Sequence, residues 1–345
     1  MAVTLKDIAL QAGVSPSTVS RTCNNHPSIS EETKEKVRRA MEKLGYEPNF
    51  SSNNVATSKI KTIGIILPPS QKETYENSFY LEAIRGISSF CNQKKYMNTV
   101  ITGNNEEELL TVIEDMAKSE QVDGFIILYS KLDDSIINYL FNEGLLYVLI
   151  GKVNQYANQT IYIDNDNLLA GQEATEYLIK KGHTRIAYIG KDFNLMFIAD
   201  RKAGYQLALT MNNIPYRPEY CIELPSNMNE CHDIIQNLCD LPEPPTAAVV
   251  CDDIVALTVE RICAEFGISI PEDLSIISFN NSLLSRINTP QLTSININSF
   301  QLGIEAASQM INHIENPNLL ATKIIVPHQL IERNSCKNIK RTSDF

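Results

Sequence analysis

The chain has 345 residues, 43% of them hydrophobic and 21% charged, which allows two or three domains with real cores and excludes a disordered or fibrous protein. No stretch approaches the length of a membrane span and the N-terminus lacks a charged-then-apolar secretion signal, so a cytoplasmic protein without membrane contact is expected. Net charge is −11, but residues 1–61 carry nine Lys/Arg against six Asp/Glu (net +3), leaving 21 against 35 (net −14) in the rest. A basic end on an acidic body suits a small nucleic-acid-binding module attached to something else. The eight cysteines, at 23, 91, 221, 231, 239, 251, 263 and 336, form no C-x-x-C pair, and reduced, buried thiols are their simplest reading.

Leu5, Ile8, Ala9 and Ala12 recur at i, i+3, i+4 and i+7, one apolar face of a short helix. Gly13 ends it, because glycine enters a left-handed C-cap without a Cβ penalty. Ser15 reads as the N-cap of a second helix with Pro16 at its first position. Val19 and Cys23 face inward from that helix, leaving Ser17, Thr18, Ser20 and Arg21 for an outside partner. Two short helices across a glycine turn form a helix-turn-helix, whose second helix enters a DNA major groove. A third helix follows from Glu31, with Val37, Ala40, Met41 and Leu44 as its apolar stripe and Lys34, Lys36, Arg38 and Arg39 mostly off it; Gly45 ends it. Residues 49–61 are polar and rich in Asn and Ser, which compete with helix through local side-chain bonds, so they read as a linker.

From Thr62 short apolar runs alternate with helical patterns. Strands are expected at Thr62–Leu67, Met97–Ile101, Gly124–Leu128, Leu146–Ile150, Ile161–Ile163, Arg185–Ile189, Ala247–Cys251 and Ser275–Ser278. Helices are expected near Phe79–Lys94, Glu106–Ser119, Asp134–Glu143, Asn167–Lys180, Asp200–Met211, Glu230–Cys239 and Ile254–Phe266. Repeated β–α alternation over more than 250 residues implies two parallel-sheet lobes, with ligands at the carboxyl ends of the strands.

The run Thr4-Leu5-Lys6-Asp7-Ile8-Ala9, then Ala12-Gly13-Val14-Ser15, Thr18-Val19-Ser20-Arg21 and Asn24, resembles the headpiece of the LacI/GalR family of bacterial transcription regulators. Tyr46-Glu47-Pro48-Asn49 resembles that family's approach to its hinge. Further along, Asn77-Ser78-Phe79, Asp123-Gly124-Phe125, Asp200-Arg201-Lys202-Ala203-Gly204-Tyr205, Asp252-Asp253 and Pro290-Gln291-Leu292-Thr293-Ser294-Ile295 carry the resemblance over nearly the whole chain. Asp164-Asn165-Asp166-Asn167, Ser278-Phe279-Asn280-Asn281 and Pro327-His328-Gln329-Leu330-Ile331 are most similar to the family's maltose-operon repressors.

The resemblance implies an all-α helix-turn-helix headpiece (1–48), a hinge (49–61) and an α/β body (62–345) of two parallel-sheet lobes like those of periplasmic sugar-binding proteins. It also implies a homodimer, double-stranded operator DNA as partner and a sugar effector between the lobes, acting as inducer or, as in some relatives, as corepressor. Base and phosphate contacts fall on Ser15, Pro16, Ser17, Thr18, Arg21 and Asn24, with Arg21 suited to a bidentate contact with guanine. Val55 stands where the family wedges a leucine into the minor groove, after Ser52-Asn53 in place of the usual Ala-Arg. Effector contacts fall on Phe79, Tyr80, Ser130, Arg201, Asp252 and Asn280, with Arg201 directly after a strand-linked loop.

A cytoplasmic sugar-binding protein without DNA function, and a carbohydrate enzyme, are the alternatives from other classes. Asp164, Asp166, Asp252 and Asp253 could form an acid/base pair, but helix N-caps explain them adequately. There is no G-x-S-x-G, H-E-x-x-H, phosphate loop or G-x-G-x-x-G, and Cys231-His232 with Cys239 lacks zinc-ligand spacing. No catalytic residue, metal or cofactor is expected.

Overall fold

Helix α1 (Leu5–Ala12) starts at Thr4, whose hydroxyl accepts from the Asp7 N–H while the Asp7 carboxylate accepts from the Thr4 N–H, a reciprocal capping box. Gly13 ends it at φ 69°, as its lack of a Cβ allows. Helix α2 (Pro16–Cys23) follows, with the Ser15 hydroxyl accepting from the Thr18 N–H at 3.1 Å, and then α3 (Glu31–Leu44). Ile8, Ala9, Val19, Val37, Ala40 and Met41 close the core of this three-helix headpiece. Lys34, expected off the apolar stripe, is buried, and its ammonium is held by Glu31 at 2.7 Å.

The computed structural model describes residues 4–23, 29–44, 46, 61–69 and 77–339. Asn24, Gly45 and Val55, the side chain of Cys23 and residues 49–60 of the hinge lie outside them. No helix among the described residues is long and apolar enough to cross a membrane.

The body begins with β1 (Thr62–Ile66), α4 (Ser78–Lys94), β2 (Met97–Ile101), α5 (Glu106–Lys118), β3 (Gly124–Ile127), α6 (Ser135–Asn142), β4 (Tyr147–Ile150) and β5 (Ile161–Asp164). The chain then crosses into a second lobe of α7 (Asn167–Lys180), β6 (Ile186–Gly190), α8 (Met196–Met211), β7 (Cys221–Glu223), α9 (Met228–Cys239), β8 (Ala247–Val250), α10 (Asp253–Glu265), β9 (Ser275–Phe279), α11 (Leu283–Ile287) and β10 (Thr293–Asn296). It returns to the first lobe through α12 (Ser299–Glu315) and β11 (Lys323–Ile325), and crosses a third time to β12 (Gln329–Ile331).

The first sheet runs β11-β5-β4-β3-β1-β2, all parallel; the second runs β12-β10-β9-β8-β6-β7. Within the second sheet β12 departs from the expected parallel pattern and pairs antiparallel with β10. The reason is geometric. The carboxyl ends of both sheets face one cleft, so a strand that leaves β11 and crosses directly enters the second sheet against its direction. Helix α12, absent from the expected elements, packs on α4 so closely that a Cβ at Gly303 would lie 2.1 Å from the Ala83 carbonyl oxygen. In the second lobe α7 and α8 meet in the same way, a Cβ at Gly171 falling 2.2 Å from the Arg201 carbonyl oxygen. That contact sets the depth of Arg201 beside the cleft.

Candidate functional site

Two sites emerge from this architecture. The first is the N-terminal turn of α2. The Ser15 hydroxyl lies 2.7 Å from that of Ser17 and 2.9 Å from that of Thr18, so three hydroxyls cluster at the first turn of the helix. Pro16 and Ser17 are half-buried and Val19 is fully buried, which leaves this turn and Arg21 on the outer side. In the arrangement described, Arg21 rests on the first lobe: its Nη1 donates to Gln159 Oε1 at 2.6 Å and its guanidinium sits 5.0 Å from the Phe141 ring, itself stacked on Tyr156. Burial lowers the Arg21 pKa. The Ser20 hydroxyl donates to the Gly144 carbonyl at 3.4 Å, and Lys6 pairs with Glu143 at 3.7 Å.

The second site is the cleft between the carboxyl ends of the two sheets. The Asn77 side chain accepts from the Phe79 N–H at 3.0 Å and so starts α4, placing Phe79 and Tyr80 in its first turn on the cleft wall, edge to face at 5.2 Å. Ser130, after β3, is buried and donates its hydroxyl to the Lys152 carbonyl, which leaves it an acceptor only. Asn280, just past β9, is held at φ 95°, a left-handed conformation that asparagine tolerates better than most residues. These four line the cleft together with Arg201, as the sequence suggested. Arg201 lies in the second turn of α8, which begins at Met196, and not directly after a loop.

Arg201 is the centre of the site. It is 2% exposed, donates Nε to Asn167 Oδ1 at 3.0 Å and Nη1 to the Cys251 carbonyl at 2.7 Å, and its guanidinium lies 4.2 Å from the Phe279 ring and 4.9 Å from that of Phe197. Its Nη2 makes no hydrogen bond among the described residues. Burial lowers its pKa, opposed by Tyr188, Cys251, Asp252 and Asp164.

Asp252 departs from expectation. It caps α10, its carboxylate accepting from the Val255 N–H at 2.8 Å, and it is not among the cleft-lining residues. Burial raises its pKa. Asp164, Asn165, Asn167, Tyr129 and Phe197 line the cleft without having been expected there. Of these, Asp164 is pushed up to about 7 by burial, opposed by the Asn165 N–H and by Arg201. Asp253 turns away from the cleft to accept from the hydroxyls of Ser278 (2.5 Å) and Ser294 (2.8 Å) and from the Ser282 N–H (2.6 Å), a structural hub and not an acid/base partner. Along one side the lobes touch: the Met196 N–H donates to the Ser130 carbonyl at 3.3 Å and Lys152 pairs with Asp200 at 2.9 Å.

A helix-turn-helix headpiece joined to a two-lobed α/β body with its cleft at the strand ends defines a DNA-binding regulator whose body is built like a periplasmic binding protein. Residues 4–49 match the family described as bacterial regulatory proteins, lacI family, and residues 175–336 match the periplasmic binding protein-like domain. The HTH-type transcriptional regulator MalR of Staphylococcus xylosus is 34% identical over 338 residues, covering 98% of this chain and 99% of that one. A probable maltose operon transcriptional repressor malR from Staphylococcus aureus superposes with a TM-score of 0.75 at 30% identity, covering 81% of this chain and 99% of that structure. A complex of the transcriptional regulator CelR with cellobiose gives a TM-score of 0.75 at 25% identity, covering 97% and 100%. The chain belongs to the lacI family of bacterial regulatory proteins and is a DNA-binding transcriptional repressor.

Proposed function

We propose that the protein is a homodimeric repressor of carbohydrate-utilisation genes, of the maltose or maltodextrin type, released from operator DNA by a sugar bound between its lobes. The observation that carries this reading is Arg201, a buried guanidinium with one uncommitted edge facing a cleft walled by Phe79, Tyr80, Phe197 and Asn280. The uncommitted Nη2 of Arg201, aromatic faces for the sugar ring and amide and carboxylate acceptors around it suit a polyol better than an apolar ligand. The relatives named for a maltose operon and for a cellobiose complex support the same class of ligand. Asp164, the acidic side chain among the cleft-lining residues, is committed to the Asn165 N–H and the Asn167 amide.

In this reading residues 1–48 form the DNA-binding domain, 49–61 the hinge and 62–345 the effector-binding and dimerising body. Ser15, Thr18 and Asn24 hold phosphates, Pro16, Ser17 and Arg21 read base edges, and Val55 enters the minor groove. Arg21 then exchanges Gln159 and Phe141 for DNA when the headpiece engages. Exposed apolar side chains support the dimer: Leu81, Met97 and Val100 lie on α4 and the edge strand β2, and Leu283 and Ile287 on α11.

Fluorescence anisotropy on an operator that the protein itself selects from a random-sequence pool tests this reading. Selection of a pseudo-palindrome and its release by maltose, at several salt concentrations, is the expected outcome. Failure to select any sequence overturns the repressor assignment; selection without response to any sugar overturns the effector assignment alone.

A further inference from the structure

The two lobes are joined by three crossings: β5 to α7, β10 to α12, and β11 to β12. One side chain ties all three together. Asn165, on the first crossing and 4% exposed, donates both hydrogens of its amide, one to the Ile297 carbonyl on the second crossing at 3.0 Å and one to the Val326 carbonyl on the third at 2.8 Å. The same residue's N–H donates to Asp164 Oδ1 at 2.8 Å, and Asn167 Nδ2 donates to that oxygen at 3.0 Å. The Asn167 amide oxygen in turn accepts from Arg201. A continuous chain of hydrogen bonds therefore runs from the cleft arginine through Asn167 and Asp164 to the point where the three crossings meet.

We infer that Asn165 is the hinge pin of the body, a positioning residue through which occupancy of Arg201 sets the angle between the lobes. Resting on the reading that the cleft takes a sugar, it assigns Asn165, besides its place on the cleft wall, a role in transmitting sugar binding to the DNA end. The chemistry is specific. Only a primary amide places two donors at this reach; an aspartate has the same shape but presents acceptors to two carbonyls, and an alanine leaves both carbonyls buried without a partner. Opening the lobes must break the Met196–Ser130 and Lys152–Asp200 contacts, which also join the two lobes.

The test uses the full chain with Asn165→Asp and Asn165→Ala, and with the milder Asn165→Ser should either fail to fold. Operator affinity is measured with and without saturating maltose, and maltose affinity by calorimetry. The expected result is a fall of about tenfold in the ratio of operator affinities without and with maltose, each variant being saturated at the concentration its own calorimetric affinity requires, with Asp no better than Ala. A ratio within about twofold of wild type in a folded variant overturns the proposal. Hydrogen exchange supplies a readout that needs no sugar: amides of 295–298 and of Ile325, Val326 and His328 should exchange at least about tenfold faster in the variants, with β1 and β6 unchanged. Unchanged exchange at the crossings overturns the pin even when the wild-type protein responds to no sugar, in which case the effector reading has failed separately.

Discussion

The headpiece closes three helices around six buried apolar side chains, whereas each lobe of the body wraps both faces of a six-stranded sheet with helices and holds many more. A small core leans on its caps, and here the Thr4–Asp7 box, Gly13 and Ser15 carry a share that the body's caps do not. The carboxylates differ in the same sense. In the headpiece Asp7, Glu31 and Glu32 are exposed and held below their usual range by Thr4, Lys34 and Lys36. In the body Asp164 and Glu260 are pushed up to about 7 by burial. The contrast teaches a division of labour: a small module that finds DNA, and a deep, ordered body that buries polar groups both on the cleft wall, as at Asp164, and outside it, as at Asp253 and Glu260.

The largest expected effect is at the headpiece core. Ile8 is fully buried, and Ile8→Ala should cost about 2–5 kcal/mol, enough to unfold so small a module. Operator binding should be lost while calorimetric maltose binding stays unchanged; retained operator affinity would show that the two parts do not fold independently. Next in size, Arg201→Lys keeps the charge but loses the planar fork, and maltose affinity should fall by about 100-fold with operator affinity in the absence of sugar preserved. Equal maltose affinity would remove Arg201 from the site. Arg21→Ala should lower the operator over non-operator ratio by about tenfold or more, corresponding to about 1–3 kcal/mol of lost base discrimination. A uniform weakening on all sequences would make Arg21 a phosphate contact.

The smallest effect separates the two regions by pH. Glu260 is raised by burial, opposed by a hydrogen bond from Asn288, and its Oε1 is buried without a partner. A carboxyl raised in the folded state favours folding below its unfolded pKa, and that contribution is lost as pH rises through about 7. Glu260→Gln should therefore reduce, without abolishing, the pH dependence of the body's stability between pH 5 and 8, where Asp164 still titrates, and stabilise it at pH 8 by on the order of 1 kcal/mol after solvent screening. Denaturant melts at the two pH values check this; a loss of stability at pH 8 would contradict the sign. The headpiece transition should be unchanged by this substitution, since Asp7, Glu31 and Glu32 are shifted downward, away from that window.

Much of this was legible in the sequence, for local reasons. Gly13, Ser15 and Pro16 mark their helix ends by backbone preference alone, and the strands of the sheet centres are short apolar runs that tolerate little else. Helix α12 also carries its pattern in the chain, with Leu302, Ala306, Ala307, Met310 and Ile311 on one face, but a polar crossing before it masks where the period begins. The edge strands β7, β11 and β12 span three residues each, too few for a period to show. Arg201 and Asp252 both stand in cleft-like motifs, yet only packing decides that one faces the cleft and the other caps a helix. Asn165 could not be singled out from its neighbours, because its partners at 297 and 326 are brought to it only by the closed topology.

Reciprocity between the two sites tests the central claim most directly. If DNA and sugar select different arrangements of the body, maltose must bind the operator-bound protein more weakly than the free protein by the same factor that it weakens operator binding. Calorimetric titration of maltose into the full chain, free and then saturated with its selected operator, should show this shift with matching magnitude. Identical maltose affinity in the two titrations would contradict the account.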